Sequence, residues 1–317
     1  MITDEEICKV AIIGAGYMAE EHIKVFSSID NVNLCGIHSR TKIKAEKLAG
    51  VYKINKVYDT ISDLFSETKA ELVIITVPEL SAKEVCVEAF NFPWVCLIEK
   101  PVGYNLKDSK DILDCAEKKK AKAYVALNRR HYSATNKVQN FLDDENSKRI
   151  ISIIDQEDQK AALKSGQPEL VVENWMYANS IHLIDLFRIF GRGEIINVNT
   201  IKPWLKENPF HLLSYIEFES GDIGIYNAYW NCPGPWSISV TTSSKRLEMR
   251  PIETLNIQEH GSRTLKSIDL DKKDIDFKPG LWVQALEALK AVRGSSHSLP
   301  DLHDAYASME LISKIYC

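Results

Sequence analysis

The sequence predicts a two-domain α/β protein. An N-terminal Rossmann domain with a doubly wound parallel sheet precedes an α+β domain with a large, mostly antiparallel open sheet. The length of 317 residues exceeds what one hydrophobic core usually holds. Up to about residue 127, short apolar runs alternate with amphipathic ones, a pattern typical of strand–helix units. Beyond it, strand-like runs follow one another with few helices between them. We therefore expect domains at 1–127 (dinucleotide binding) and 128–317 (substrate binding and oligomerisation), with C-terminal helices packing back near the first.

Composition limits the classes of partner. The net charge of −5 and the pI near 6.0 give no electrostatic reason to expect nucleic acid. The acidic start, residues 1–6, lacks the order of a signal peptide, and no apolar run approaches the ~20 residues of a membrane span. The seven cysteines include no Cys-x-x-Cys pair, which argues against a disulfide framework and a zinc site. We expect a cytoplasmic protein without a metal.

The sequence of the first domain predicts five strands that alternate with four helices. Asn105, with Asp108 in the first turn, is the expected N-cap of the last helix. Such alternation places a parallel sheet between two helical layers. The predicted strands are Cys8–Ile13, Asn33–His38, Glu71–Val77, Trp94–Ile98 and Ala123–Leu127. The predicted helices are Tyr17–Ser28, Lys42–Leu48, Ser81–Phe90 and Leu106–Lys119.

The sequence of the second domain predicts a helix, then a succession of strands, and then a final pair of helices. Ser220-Gly221-Asp222 has the chemistry of a hairpin turn. Bulky residues occupy both faces of Ile223–Trp230, so we expect both faces to be covered, one by helices and the other by a second subunit. The predicted strands are Arg149–Gln156, Ile195–Ile201, Leu212–Glu219, Ile223–Trp230, Ser237–Thr242, Lys245–Met249 and Leu255–Gln258. The predicted helices are Ser133–Leu142, Val283–Val292 and Asp301–Tyr316.

A glycine pattern opens the chain's first helix. Gly14-x-Gly16-x-x-Ala19 follows the first predicted strand directly, with Tyr17 and Met18 between the second glycine and the alanine. The first glycine permits a tight turn, the second lets a pyrophosphate approach the backbone, and the helix amino terminus attracts phosphate charge. An incidental glycine turn is the alternative. The position at the head of repeated strand–helix units favours dinucleotide binding.

The end of the second strand bears on the type of cofactor. An acid about 20 residues beyond the glycines would bind the ribose 2′-hydroxyl of NAD. Here the chain offers Ser39 and Arg40, with no acid before Glu46. A hydroxyl beside a guanidinium suits a 2′-phosphate, so NADP is favoured and NAD stays possible. Arg40 could otherwise be an ordinary exposed arginine, or stack on the adenine of either cofactor.

Three motifs give a family resemblance along essentially the whole chain. They are Glu99-Lys100-Pro101 at the end of an apolar strand, Thr76-Val-Pro78 after the preceding strand, and Leu299–Ala305 (LPDLHDA) before the last helix. With the glycine loop, they make the chain similar to the glucose–fructose oxidoreductase/inositol dehydrogenase (Gfo/Idh/MocA) family. The resemblance implies that Lys100 lies beside the nicotinamide and the substrate hydroxyl. Glu99 would then orient its ammonium group, and the alternative is a solvent-exposed turn.

A further motif of that family matches Asn179-Ser-Ile-His-Leu-Ile-Asp185. The resemblance implies that His182 is the catalytic acid or base, against the alternative of a buried core histidine. Asp185 could share its helix face and hold it. Many members carry an aspartate at the position of Ala178, so the pattern departs here. Asn179 is expected to act as N-cap, as substrate ligand, or as both.

Polar and aromatic residues near these motifs complete the expected site. Asn128 follows the last Rossmann strand, where the family often places polar residues near nicotinamide and substrate. Arg129 and Arg130 could contact a phosphate or carboxylate, or form a solvated hinge. Trp175 and Tyr177 could stack on a sugar face or pack in the core. The expected cofactor-binding residues are Gly14, Gly16, Tyr17, Met18, Ser39, Arg40, Thr76, Pro78, Glu99, Lys100 and Asn128. The expected substrate-binding residues are Lys100, Asn128, Arg129, Trp175, Tyr177, Asn179 and His182.

The resemblance implies an NAD(P)-dependent oxidoreductase. It would interconvert a secondary alcohol and a ketone on a sugar, cyclitol or sugar nucleotide, as a homodimer or homotetramer, with Lys100 and His182 in proton transfer. Two alternatives stay open. One is a non-catalytic dinucleotide-binding sensor or scaffold, which only Ala178 supports. The other is a lyase or glycosidase that oxidises its substrate transiently and retains NAD.

Overall fold

The structure is a computed structural model that describes residues 6–143 and 145–316. Its strands, in chain order, are β1 Cys8–Ile13, β2 Val32–His38, β3 Val57–Tyr58, β4 Leu72–Ile75, β5 Val95–Glu99, β6 Lys122–Ala126, β7 Ile150–Glu157, β8 Ile195–Lys202, β9 His211–Phe218, β10 Ile223–Trp230, β11 Ser237–Thr241, β12 Lys245–Met249, β13 Asn256–Glu259 and β14 Lys266–Ser267. Its helices are α1 Tyr17–Phe26, α2 Lys42–Tyr52, α3 Ile61–Thr68, α4 Glu79–Ala89, α5 Leu106–Lys119, α6 Ser133–Asp143, α7 Gln159–Lys164, α8 Glu169–Glu173, α9 Ile181–Ile184, α10 Phe187–Phe190, α11 Lys273–Asp276, α12 Leu281–Val292 and α13 Leu302–Tyr316.

The chain divides into two compact units. The first comprises Met1–Asn128 and Lys273–Tyr306, and the second comprises Arg129–Lys272 and Ala307–Cys317. This differs from the expected division at 127/128, because 273–306 groups with the first unit instead of the second. The physical reason is apolar burial: Leu281, Ala285 and Ala288 of α12 are at most 1% exposed and belong to the first unit's core.

The first unit contains a six-stranded parallel sheet. Its order, β3-β2-β1-β4-β5-β6, is the doubly wound order. Strands β2 and β3 lie on one side of β1, and β4, β5 and β6 lie on the other, so the strand order reverses between β1 and β4. β4 and the first four residues of β5 are fully buried, because helices cover both faces. Strand β3 and helix α3 were not predicted from the sequence, because a two-residue strand and an eight-residue helix leave little periodic signal. Asn105 caps α5 as predicted, accepting a hydrogen bond from Asp108 N–H at 2.8 Å.

The second unit contains an eight-stranded sheet of order β14-β13-β12-β11-β7-β10-β9-β8. β7 and β10 are parallel, and the other pairs are antiparallel, so the predicted mostly antiparallel sheet is confirmed. The hairpin at Ser220–Asp222 joins β9 to β10, with Gly221 at a φ of +81°. Along β9 and β10, buried residues alternate with partly exposed ones, so one face of this sheet is covered within the unit. The predicted second cover would have to come from another subunit.

Helices of the described ranges are too short or too polar to cross a membrane.

Candidate active site

Gly14 and Gly16 form the turn between β1 and α1. Gly14 has a φ of +114°, and a Cβ built on it would lie 2.5 Å from both the carbonyl and hydroxyl oxygens of Thr76. Only glycine therefore allows the end of β1 to approach the end of β4 this closely. A Cβ on Gly16 would meet nothing within 4 Å, although the backbone there has an ordinary φ of −91°. The fold itself needs the first glycine, whereas the second leaves open space beside the helix terminus.

These features fit a dinucleotide. The turn follows β1, at the point of the sheet where the strand order reverses. Open α/β sheets bind ligands at this point. The N-cap of α1 is Gly16, which has no side chain to accept hydrogen bonds from the first N–H groups of the helix. Such N–H groups at a helix amino terminus can bind an anion. Lys278, whose ammonium lies 5.4 Å from the centroid of the Tyr17 ring, adds positive charge beside this turn. No sequence motif pointed to Lys278, which lies in the segment 273–306 that groups with the first unit.

The other predicted cofactor residues lie at the carboxyl ends of neighbouring strands. Ser39 and Arg40 follow β2, and Arg40 is exposed. Ser39 Oγ accepts a hydrogen bond from Thr41 N–H at 3.2 Å. Pro78 is exposed at the start of α4, and Met18 packs partly against the core. The sheet thus brings the glycine turn, Ser39-Arg40 and Pro78 to one edge of the first unit.

Glu99 ends β5 at this same edge, and Lys100 follows it. The partner of Glu99 is a residue that the sequence did not reveal: its Oε1 lies 2.7 Å from His22 Nε2 of α1. His22 is 1% exposed, and the Glu99 side chain is 10% exposed. Lys100 is partly exposed, and its peptide bond to Pro101 is cis. Glu99, which is expected to orient Lys100, is thus itself held in place by His22.

The residues that follow β6 have partners within their own units. Asn128 is 3% exposed, and its Nδ2 donates to the carbonyl of Pro279 at 2.9 Å. In the second unit, Arg130 donates to both oxygens of Asp185 at 2.7 Å. Asp185 also accepts from Ser308 Oγ at 2.6 Å. Arg130 and Asp185 thus form a buried ion pair within the second unit.

Burial of Asp185 favours a higher pKa. The charge and hydrogen bonds of Arg130, with that of Ser308, nevertheless bring the pKa of Asp185 below its ordinary value. Asp185 is therefore ionised at neutral pH.

The histidine segment forms irregular helix. Met176–Ser180 is a π-helical turn, and α9 follows with His182, which is 6% exposed. Such turns often occur at functional sites. The centroid of the His182 ring lies 6.1 Å from that of Trp236, and the guanidinium carbon of Arg129 lies 5.3 Å from the Trp236 ring centroid. Trp236 thus lies near two predicted site residues, although the sequence did not single it out.

Asn179 does not cap a helix, which corrects one of its two expected roles. It lies within the π-helical turn, and its side chain reaches to β7. Its Nδ2 donates to Glu157 Oε2 at 2.8 Å and to Oε1 at 3.1 Å. Trp175 Nε1 donates to Glu157 Oε2 at 2.6 Å, and Ser180 Oγ lies 3.3 Å from Oε1. Glu157, which is 1% exposed, therefore organises the segment before the histidine.

Glu157 was missed, although a signal existed. On β7, Ile151 and Ile153 occupy buried positions of a two-residue period, and Asp155 and Glu157 continue that period. Two acids on the apolar face of a strand are unusual enough to mark a functional or structural site. A strict alternation test along this strand would have found them.

A pocket of about 560 Å³ opens above Glu157 in the second unit. Trp175, Asn179 and Trp236 contribute to its walls, whereas Tyr177 is buried away from the lining. Indole rings beside carboxylate and amide groups suit a polyhydroxylated ring, since rings pack on C–H faces and polar groups bind hydroxyls. The described residues include no cluster of three or more side chains placed to hold a metal. The lining residues are Gln156, Glu157, Asp158, Ala161, Ala162, Ser165, Trp175, Asn179, Gly234 and Trp236.

Comparisons with known proteins agree with the fold and with the glycine turn. The sequence model of an oxidoreductase family with an NAD-binding Rossmann fold (GFO_IDH_MocA) matches residues 8–127. Glucose-6-phosphate 3-dehydrogenase of Bacillus subtilis is 26% identical over 145 residues, which are 46% of this chain and 41% of that protein. An inositol 2-dehydrogenase/D-chiro-inositol 3-dehydrogenase of Lactiplantibacillus plantarum is 24% identical over 135 residues, 42% of this chain and 38% of that protein. These matches span about two fifths of each relative.

Structural similarity extends over the whole chain. The UDP-N-acetylglucosamine 3-dehydrogenase of Acidithiobacillus ferrooxidans superposes with a TM-score of 0.78 and 16% identity. The superposition covers 97% of this chain and 96% of that one. At this identity the likeness establishes the two-unit fold.

Proposed function

We infer that this chain, which belongs to the Gfo/Idh/MocA oxidoreductase family, is an NAD(P)-dependent dehydrogenase or reductase that interconverts a secondary alcohol and a ketone on a carbohydrate-type substrate. The observation that carries the proposal is the glycine turn. Gly14 is required by its approach to Thr76, and Gly16 leaves the amino terminus of α1 accessible. Lys100 follows a strand of the same sheet, at the same edge.

The residues at this edge would hold the cofactor. The N–H groups at the start of α1 would bind its pyrophosphate, and Ser39 and Arg40 its adenosine ribose. When bound, a nicotinamide dinucleotide supplies or accepts the hydride. We propose that NADP(H) is preferred, since the loop after β2 offers a hydroxyl and a guanidinium where NAD-specific sites place an acid. Thr76 and Pro78 would shape the floor of this site.

Lys100 and His182 are proposed to serve one proton transfer. An ammonium group can polarise a carbonyl oxygen or deliver a proton as an alkoxide forms, and an imidazole can act as acid or base near neutral pH. Arg129 and Asn128 would contact substrate or nicotinamide, although Asn128 also ties the chain to Pro279.

The substrate is proposed to bind through the walls of the second unit's pocket. Trp175 would pack on a sugar or cyclitol ring, and Asn179 would bind its hydroxyls. The names of three similar proteins, which act on glucose 6-phosphate, inositol and UDP-N-acetylglucosamine, support this class without choosing within it.

The proposal can be tested on the purified protein, first by cofactor binding and then by turnover. Titration calorimetry with NADP(H) and NAD(H) is expected to give saturable binding of at least one. Turnover is then measured with a panel of sugars, polyols and sugar nucleotides by the absorbance of the reduced nicotinamide. Binding without turnover on every compound would favour a sensor or scaffold. Product formed with no net change in cofactor redox state would favour a lyase or glycosidase.

A further inference from the structure

Asp155 and Glu157 place two carboxyl groups side by side inside the second unit. Both lie on the buried face of β7, and they are 0% and 1% exposed. Asp155 Oδ2 accepts a hydrogen bond from the Tyr226 hydroxyl at 2.6 Å. No N–H or hydroxyl group of the described residues donates to Asp155 Oδ1. A buried carboxylate oxygen without a donor is costly, so a proton on its neighbour is the simplest compensation.

The contacts of Glu157 indicate where that proton lies. Trp175 and Asn179 donate to Oε2 at 2.6 and 2.8 Å, whereas the contacts of Oε1 with Asn179 and Ser180 are longer, at 3.1 and 3.3 Å. Oε2 thus behaves as the carbonyl oxygen of a carboxylic acid. Oε1 is then the hydroxyl oxygen that donates to Asp155.

We propose that Asp155 and Glu157 share a single proton, and that Glu157, as a protonated acid, is a positioning residue that holds Trp175 and Asn179 in the pocket wall. The Asn179 amide donates its N–H group to Glu157. Its carbonyl oxygen is then the atom left to accept a hydrogen bond from a substrate hydroxyl. The positioning role rests on the proposed function, whereas the shared proton does not.

The electrostatic surroundings agree with this assignment. Burial, then the charge of Asp155 and the hydrogen bond between the two carboxyls, raise the pKa of Glu157 well above its usual range, against the opposing effect of Asn179 and Trp175. Burial also raises the pKa of Asp155, and hydrogen bonds from Glu157 and Tyr226 oppose that rise. The other titratable or charged groups near the pair or the walls of the pocket are Asp158, Tyr226, Tyr316, His182 and Arg129.

Glutamine at position 157 is the conservative replacement. Its carbonyl can accept from Trp175 and Asn179 while its NH₂ group donates to Asp155, which reproduces the proposed pattern without a titratable proton. Leucine fills a similar volume and can do neither. Asp158→Asn is the matched control, because Asp158 also lines the pocket but its carboxylate caps α7, accepting from Ala161 N–H at 2.9 Å.

Infrared spectroscopy of the free protein at neutral pH tests the shared proton directly. We expect a carbonyl band of a protonated carboxylic acid in the wild type and in Asp158→Asn, and its loss in Glu157→Gln. A wild type without the band overturns the proposal, as does a band that persists in Glu157→Gln. No substrate or cofactor is needed, so this result is independent of the proposed function.

The dependence of Tm on pH supplies a second test, which can be applied even to variants that are less stable than the wild type. Because folding raises the pKa of Glu157, its contribution is fully present below its ordinary value of 4.5 and is lost as pH rises through the folded value. Glu157→Gln removes this dependence, so the difference in Tm between variant and wild type should shift in the variant's favour from pH 5 to 8. A constant difference overturns the proposal.

Steady-state kinetics test the positioning role. Glu157→Leu is expected to raise KM by about tenfold or more with a smaller change in kcat, and Glu157→Gln is expected to keep KM within about threefold of wild type. Equal KM losses in both variants would refute positioning by a neutral acid. An infrared band combined with no turnover in any protein would refute the proposed function and leave the shared proton intact.

Discussion

His22 Nε2 of α1 lies 2.7 Å from Glu99 Oε1, so the helix that follows the glycine turn is tied to the strand that carries Lys100. Both side chains are at least nine-tenths buried. The contact joins two residues that are 77 positions apart in the sequence, through a hydrogen bond involving a carboxylate.

We expect His22→Ala to lower the free energy of unfolding by roughly 1.5–3 kcal/mol, because it leaves the carboxylate of Glu99 without its buried partner. It should also reduce turnover, since Glu99 would no longer be fixed beside Lys100. Chemical denaturation and initial rates provide the measurements. The control is Lys24→Met on the same helix, because the Lys24 side chain is 43% exposed and its pair with Glu21 joins two residues of α1 only. This change should affect both quantities much less. Equal stability of the two variants would contradict the role given to His22.

Alanine at the two glycines should separate folding from binding. Gly14→Ala is expected to destabilise the protein by at least about 1–3 kcal/mol, because of its φ of +114° and the 2.5 Å approach to Thr76. Gly16→Ala should fold with a free energy within about 0.5 kcal/mol of wild type, since its Cβ meets nothing. It should nevertheless weaken dinucleotide binding, as thermal denaturation and calorimetry would record. Full cofactor affinity in Gly16→Ala would argue against a pyrophosphate at this turn.

Arg40→Ala should weaken NADP(H) about 10- to 100-fold, the loss of one charge-assisted contact, and leave NAD(H) nearly unchanged. Calorimetric titration of both cofactors measures the ratio. Lys42→Ala is the control, because Lys42 is a nearby exposed cation whose partner is Asp59 at 2.7 Å. An equal loss for both cofactors would mean that Arg40 stacks on adenine or acts only through net charge.

Lys100→Met and His182→Ala are each expected to reduce turnover by about 10²–10⁴-fold, the usual contribution of general acid–base catalysis, with cofactor affinity preserved. If both serve one proton transfer, the double variant should lose less than the product of the single losses. Asn179→Ala should lose less than either and raise KM more than it lowers kcat. Wild-type turnover in Lys100→Met would reduce Glu99-Lys100-Pro101 to a structural turn.

We also expect a homodimer or homotetramer that associates through the open face of the eight-stranded sheet. Ile225 and Tyr229 of β10 lie on that face and are only partly buried within the chain. Ile225→Glu should therefore lower the mass measured by light scattering at micromolar concentration. Ile43→Glu, at a residue that is 74% exposed on α2, should leave the mass unchanged. A monomeric wild type would remove this expectation.

Local patterns in the sequence predicted much of the fold. The limits of β1, β10, β12 and α5 agree with the structure, because hydrophobic periodicity, glycine turns and an N-cap are properties of neighbouring residues. The same reasoning placed Gly14, Ser39, Thr76 and Lys100 at strand ends, and the parallel order then gathers them at one edge. The predicted β4 begins one residue early and ends two residues late, because the hydrogen-bonded ladder stops before the apolar run does. Helix α2 continues four residues beyond its predicted end at Leu48.

Tertiary structure alone decided which side chains became partners. Arg130, a candidate for the substrate, is paired with Asp185, and Asn179, a candidate N-cap, is bound to Glu157. These partners are 55 and 22 residues apart, and no periodicity relates positions so distant. Their free energy depends on burial and on competing donors, which exist only once β7 and the helical segments have packed together. For that reason the sequence determined the motifs and the sheet edge, and the packed structure determined which residues support them.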